Sequence, residues 1–359
     1  MVWQGIEGQD AVVERFITVH AQGRVGGAYL FLGMPGIGKG SCARALAKAL
    51  VCSAPQAGLI PCGACASCVQ ATAGSHPDID VVEKPEDRST LPLEAFIGDT
   101  NHRMREGLCW RLLLRPALGG RKVAIILDAD YLGEEAANCL LKTLEEPPDS
   151  AVIILVGTAL ERQLPTIRSR CQIVRFAPLE SAAVERIVRH AIEAGQWDLP
   201  PPAAGLLRDS AQRSGGSVSR ARLLLDPALE EFRGRLLEWL CRRPLPGVEL
   251  AVDTLALVDA AGKEAPPRRA RLKIVLEAAL DFFRAALRRD AGDATSPDAL
   301  VARAVGAWRG TAEEAALGLR HSLQALEAVD RNAHLPTLVD AWTTQLEQIV
   351  QPAPSAPRS

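Results

Sequence analysis

Gly33-Met34-Pro35-Gly36-Ile37-Gly38-Lys39-Gly40-Ser41 is the stretch on which the reading of this chain turns. Before it stands the apolar run Ala28-Tyr29-Leu30-Phe31-Leu32, which reads as a buried strand; after it Ala43 to Val51, rich in Ala and Leu, reads as a helix. Strand, glycine-rich turn, lysine and helix make the context of a phosphate-binding loop. Gly33, Gly36 and Gly38 let backbone N–H groups converge on an anion, and the helix N-terminus adds a favourable field. Lys39 is expected on the outer phosphates. The pattern breaks where a metal should be held, because the Ser or Thr expected after the lysine is Gly40. Ser41 is no substitute, since one helical step turns a side chain by ~100°. A tight turn with a chance lysine is the plainer alternative, and the flanks argue against it. The loop reads as one inherited from a nucleotide-binding machine and then damaged.

Working outward, a chain of 359 residues with 48% hydrophobic content has material for two or three domains. A formal net charge of −2 argues against a generally basic nucleic-acid binder, although a local patch is compatible with it. Aromatic residues make up 4%, which leaves little for base stacking. Met1-Val2-Trp3-Gln4-Gly5 has no basic region leading into an apolar core, so no secretory signal is read there. No apolar run reaches membrane-spanning length. The expectation is a soluble cytoplasmic protein with no membrane partner.

Nine cysteines then point to metal chemistry, because clustered thiols in a reducing compartment suggest metal or redox roles before disulfides. Cys62, Cys65 and Cys68 form two overlapping Cys-x-x-Cys steps, and Cys52 lies ten residues upstream. Four thiolates can close a tetrahedral zinc shell, with small residues between them permitting tight turns. No position is left for water, so the expected Zn2+ site is structural. Free thiols in a loop, or a redox pair, are the alternatives. Cys42, Cys109, Cys139, Cys171 and Cys241 are scattered and read as small core residues.

Further along, Ile79 to Val82 reads as a short strand, Glu83 to Thr90 as a loop, and Leu93 to Leu114 as one helix with Phe96, Ile97, Met104, Leu108 and Leu112 on its apolar face. The run Lys122 to Asp128 is an apolar strand ending in Asp, where P-loop enzymes hold Mg²⁺ through a carboxylate. Hydrolytic versions of this motif follow with Glu, and here the next residue is Ala129. Asp130 shares a face with Asp128 if the strand continues. Ala136 to Pro148 reads as a helix stopped by two prolines, Ala151 to Val156 as a strand, and Gln172 to Phe176 as another. Alternating strands and helices imply a parallel α/β sheet.

Asn138 through Pro148, the triplet Ser169-Arg170-Cys171 and the four-cysteine insert after the P-loop resemble the clamp-loader subunits of bacterial DNA polymerase III, members of the AAA+ family. The resemblance covers roughly Gly5 to Leu225, and the C-terminal third only loosely. It implies an AAA+ P-loop core with a parallel sheet and zinc insert over 1–178, a helical lid over 179–226 and an all-α collar over 227–350, while the Pro- and Ser-rich stretch 351–359 reads as a disordered tail. It implies a hetero-oligomeric ring with gamma/tau and delta subunits, and through that ring the sliding clamp and primed DNA. It also assigns Arg170 to a subunit boundary, reaching the phosphates of a neighbour's ATP.

A third departure joins Gly40 and Ala129. The lid motif Gly-Ser-x-Arg is here Gly216-Ser217-Val218-Ser219-Arg220, with its arginine one residue late. Three losses on three parts of one active site imply a non-hydrolysing, stator-like member, not an enzyme by itself but a component of the DNA-directed DNA polymerase III holoenzyme. ATP hydrolysis is not expected, and nucleotide binding through Gly33, Gly36, Gly38, Lys39 and Asp128 is left open. Two other readings compete. One is an active gamma/tau-like ATPase using Lys39 and Asp128; the other is a zinc-knuckle nucleic-acid module, which the Gly, Ala and Ser between the cysteines disfavour. In the lid, Leu179 to Ala194 and Ala204 to Leu225 read as helices, with Pro200-Pro201-Pro202 as connector. In the collar, Leu272 to Leu287 and Thr337 to Val350 carry apolar faces, while Arg268, Arg269, Arg271 and Lys273 read as a solvated basic face.

Overall fold

The computed structural model describes residues 3, 5–85, 88, 90–99, 105–118, 120–197, 199, 201–202, 205–292 and 298–349. Met104, Gly119, Pro200, Ala204, Val350 and the expected tail 351–359 lie outside the described residues. The chain divides into two compact units, Met1–Arg222 and Leu223–Ser359.

The first unit runs α1 (Asp10–Ala21), β1 (Gly27–Leu32), α2 (Lys39–Val51), α3 (Ala66–Ala73), β2 (Ile79–Val82), α4 (Glu94–Ile97), α5 (Gly107–Leu113), β3 (Lys122–Ile126), α6 (Glu134–Glu145), β4 (Ala151–Gly157), α7 (Pro165–Arg168), β5 (Gln172–Arg175), α8 (Ser181–Glu193), α9 (Leu206–Arg213) and α10 (Val218–Leu224), whose last turn meets the boundary. All strand pairs are parallel, in the order β2-β3-β4-β1-β5. Period-two alternation sends Tyr29, Phe31, Val123 and Ile125 to one face, against Phe16 of α1 and Leu46 of α2. Leu30, Leu32, Ala124 and Ile126 go to the other, against Phe96 of α4, Leu112 of α5 and Leu140 of α6. A sheet covered on both faces needs apolar residues in consecutive positions, as the wholly buried β4 has. The expected α/β core is therefore present, and the P-loop leaves β1 at the carboxyl edge of the sheet, where ligands of open parallel sheets bind.

A buried acid braces the far side. Asp78, fully buried, accepts hydrogen bonds from the N–H groups of Ala117 (2.7 Å) and Leu118 (3.0 Å), and Lys122 Nζ stands 3.7 Å away. This ties the loop before β3 to the start of β2.

Two helices expected as continuous are broken. Leu93–Leu114 resolves into α4 and α5, because the apolar spacing was read across Gly98 and Gly107. At Gly107 (φ +86°) a Cβ would stand 2.5 Å from Gly98 N and 2.6 Å from Ile97 N, so this turn packs on the backbone of α4 and only glycine fits. Likewise 204–225 divides into α9 and α10 at Ser214–Ser217, where Ser217 Oγ accepts from Arg220 N (3.2 Å) and caps α10.

Among its described residues the second unit is all helical: α11 (Pro227–Cys241), α12 (Gly247–Asp259), α13 (Ala265–Asp290), α14 (Ala299–Ala307), α15 (Ala312–Asp330) and α16 (Leu335–Ile349). Val275, Ala279, Phe283 and Ala286 of α13 are buried in its core with Trp342 and Leu346 of α16, as the stripes predict. Thr311 and Glu314 close a capping box at the start of α15. The basic cluster is partly exposed, and three of its four residues are also paired. Arg268 pairs with Asp259, Arg271 with Asp226 and the Leu257 carbonyl, and Lys273 with Asp330, so α13 uses these cations to fasten neighbouring helices. Among the described residues, no helix is long and apolar enough to cross a membrane.

Candidate functional site

The P-loop carbonyls are engaged from within the chain. Lys39, 6% exposed, donates from Nζ to the carbonyls of Gly33 (2.6 Å) and Met34 (2.7 Å). Burial lowers its ammonium to about 8, against the opposing pull of Asp130 and Asp128. Val218 N–H donates to the Gly36 carbonyl (2.8 Å), and the buried Gln9 amide donates to Ile37 O (3.2 Å) and Ala177 O (2.9 Å). The segment entering α10 thus lies directly on the loop: a Cβ at Gly36 would be 2.3 Å from Ser217 Oγ and 2.8 Å from Ser219 Cβ. Gly33 N–H donates to Thr158 O, and Gly38 (φ +90°) turns the chain into α2. At Gly40 a Cβ would meet only Leu127 Cδ2 at 3.5 Å, an ordinary contact, so nothing steric forbids the missing metal-binding side chain.

Asp128 and Asp130 do not share a strand face. The strand β3 ends at Ile126, and Asp128 adopts a left-handed backbone (φ +56°) that starts a single 3₁₀ turn, Ala129–Tyr131. That turn sends Asp130 onto the end of β4, where its two oxygens accept from Thr158 N (3.0 Å each) and Gln163 Nε2 is bonded to it. Asp130 is thereby a brace, and it and Asp128 both act on the charge of Lys39. Gln163, 4% exposed, fills the space beside Gly157 with its side chain, and no local sequence pattern marks it.

Arg170 lies elsewhere. It follows α7 and precedes β5, whose Gln172 is level with Tyr29 and whose Arg175 is level with Leu32. Arg170 therefore enters at the amino edge of the sheet, while the P-loop leaves at the carboxyl edge. The length of β5, about 13 Å at ~3.3 Å per residue, separates them along the strands. Its guanidinium is ordered by its surroundings: Nε donates to Glu145 Oε1 (2.8 Å), Nη2 is bonded to the same oxygen, and Nη1 donates to Thr166 O (3.0 Å) and Ser169 Oγ (3.2 Å). Burial pushes the neighbouring Cys171 thiol up to about 12, which makes it a packing residue.

The four cysteines converge. Cys52 ends α2, Cys65 caps α3, Cys68 sits in its first turn, and the sulfurs of Cys52, Cys62, Cys65 and Cys68 all lie within 4.8 Å of one another. Cys52–Cys65 and Cys62–Cys68 are each 3.9 Å apart. A tetrahedral centre with Zn–S near 2.3 Å requires about 3.8 Å between sulfurs, so the cluster fits a metal of that size. Backbone N–H groups of Cys62, Cys65 and Cys68 donate to the sulfurs of Cys52, Cys62 and Cys65 at 3.3–3.4 Å. Hydrogen bonding from Ser53 draws the Cys65 thiol down to about 5, whereas burial raises Cys68 to about 12. A coordinated cation deprotonates such thiols outright. Among the described residues this is the one group of its kind.

Comparison with known proteins agrees with this architecture. Residues 8–180 match the family model described as DNA polymerase III, delta subunit. The delta-prime subunit of DNA polymerase III from Pseudomonas aeruginosa is 35% identical over 211 residues, 59% of this chain and 59% of that one. Its counterpart from Escherichia coli is 36% identical over 165 residues, 46% of each chain. The gamma/tau subunit from Mycobacterium tuberculosis is 32% identical over 270 residues, 71% of this chain and 43% of the relative. The chain spans about half the length of the curated relatives it matches. Over residues 8–180 this chain is similar to the DNA polymerase III delta-subunit family, with delta-prime subunits among the relatives it matches.

Proposed function

We propose that the chain is a delta-prime, stator-like subunit of the DNA polymerase III clamp loader, a cytoplasmic ring that places the sliding clamp on primed DNA. In this reading 1–178 is the AAA+ core, 179–226 its lid and 227–350 the collar that assembles with gamma/tau and delta subunits. The carrying observation is Arg170, held at the edge of the sheet opposite the chain's own P-loop. An arginine so situated serves a site on a neighbour. Against a γ-phosphate a guanidinium stabilises charge spread over the transferring oxygens, and trans-supplied arginines can be worth ~10³–10⁵ in rate.

The chain's own site supports the same reading from the other side. Gly40 supplies no metal ligand, Ala129 supplies no water-orienting carboxylate, and Lys39 is bonded to loop carbonyls. Cys52, Cys62, Cys65 and Cys68 hold a structural Zn2+ that folds the insert and leaves no open coordination position. The test is Arg170→Ala in the reconstituted loader, with assembly checked by gel filtration. The expected result is an intact complex with impaired DNA-stimulated ATP turnover and clamp loading. Normal activity in the fully assembled variant returns Arg170 to a structural role.

A further inference from the structure

We infer that Glu145 is a positioning residue for Arg170, fixing its guanidinium in the orientation presented to the neighbouring subunit; this rests on the trans-arginine reading above. Glu145 is the last residue of α6, and the Pro147-Pro148 pair that follows fixes where that helix must end. Its Oε1 receives both the Nε and the Nη2 of Arg170, while Thr166 O and Ser169 Oγ receive Nη1. A guanidinium carries five N–H bonds. Four are committed to these partners, and one on Nη2 is left for an external acceptor.

The plane of the group is therefore set by two separate elements, the end of α6 and the turn after α7. The pair is nonetheless at the surface, with side chains 30% and 48% exposed for Arg170 and Glu145. An unanchored arginine there would sample many rotamers. An anchored one presents a fixed donor edge to an incoming phosphate, which is the preorganisation a charge-stabilising group requires. The same geometry accounts for Ser169 in the triplet: its hydroxyl accepts from Nη1 and donates to Thr166 O (3.1 Å), joining arginine to turn.

The experiment uses the reconstituted clamp loader and compares Glu145→Ala, Glu145→Gln, Glu145→Asp, Arg170→Ala and the Glu145→Ala/Arg170→Ala double variant. Glu145→Ala should lower the kcat of DNA-stimulated ATP hydrolysis roughly ten- to a hundredfold, the scale of a small misplacement of a reacting group, with KM for ATP little changed. Glu145→Gln keeps the accepting oxygen and should retain most of the activity. The double variant should be no worse than Arg170→Ala. Should Glu145→Ala fail to assemble, Glu145→Asp decides: it keeps the charge but withdraws the oxygen by one methylene, and its kcat should also fall. Full activity in Glu145→Asp or Glu145→Ala, or additive losses in the double variant, overturns the positioning role while leaving the trans arginine intact. Faster turnover in Glu145→Ala would make the carboxylate a competitor of the phosphate and overturns it equally. A fully active Arg170→Ala complex instead removes the reading on which both depend.

Discussion

Gly36→Ala tests whether the P-loop is fastened to the segment entering α10. Gly36 has φ +76°, in the left-handed region, and an alanine there costs about 1–2 kcal/mol. Its Cβ would stand 2.3 Å from Ser217 Oγ and 2.8 Å from Ser219 Cβ. The Ser217 hydroxyl can rotate away, but Ser219 Cβ moves only if its backbone moves. Displacing that segment breaks the 2.8 Å bond from Val218 N–H to Gly36 O, worth about 0.5–1.5 kcal/mol net. The combined loss is about 2–3 kcal/mol, and at 1.4 kcal/mol per decade the Val218 amide should exchange with solvent roughly thirty- to a hundredfold faster. Hydrogen exchange at that amide and urea denaturation of the full chain measure the two effects separately. A Ser217→Gly/Ser219→Gly background should return the steric part and leave the backbone part. Should Gly36→Ala unfold at the wild-type midpoint with the Val218 amide still protected, the fastening described here is wrong.

Four further outcomes are expected. The isolated chain should not turn over ATP, given Gly40 and Ala129; steady-state hydrolysis that disappears in Lys39→Ala would refute this. Cys65→Ser should abolish stoichiometric zinc and lower the melting temperature of the first unit while leaving the second unchanged, and zinc-free wild type purified without chelator would sink the metal centre. Lys39 is held at about 8 against an ordinary 10.5, so between those pH values the unfolded chain carries a proton that the folded one lacks. Stability must therefore rise with pH through that window and fall back as pH drops through 8; Lys39→Met should show a flatter profile by denaturant titration, and an identical slope would contradict it. Asp78→Ala strands a buried lysine and two loop amides and should cost about 3–5 kcal/mol, with part recovered in Asp78→Ala/Lys122→Met; a surface-like loss near zero would show that the brace is not needed.

Much of this was legible before any coordinates. The alternation of apolar strands with helices, the glycine–lysine turn and the cysteine spacing are local patterns, and each needs only neighbours within a few residues. The errors share a different origin. Gly98 and Gly107 look like tolerated helix interruptions until Gly107 is found against the backbone of Phe96–Gly98, a contact made by the fold. Asp130 changes role because the chain turns left-handed at Asp128. Arg268, Arg271 and Lys273 of α13 read as solvent-facing because their acids, Asp259, Asp226 and Asp330, are supplied from 9 to 57 residues away. Glu145 stood inside a recognised motif, yet its pairing with Arg170 spans 25 residues and no spacing rule announces it.

The bonding of the phosphate loop has a consequence for why such a loop persists at all. Gln9, Gly36 and Val218 come from widely separated parts of the first unit, and their hydrogen bonds meet on one turn of backbone. A turn that joins an N-terminal helix, a central strand and a late helix is a mechanical junction, whatever passes over it. Gly36 answers to the crowding of Ser217 and Ser219 as much as to any phosphate. A junction held in this way keeps its shape whatever residues stand at positions 40 and 129, because none of its hydrogen bonds depends on them.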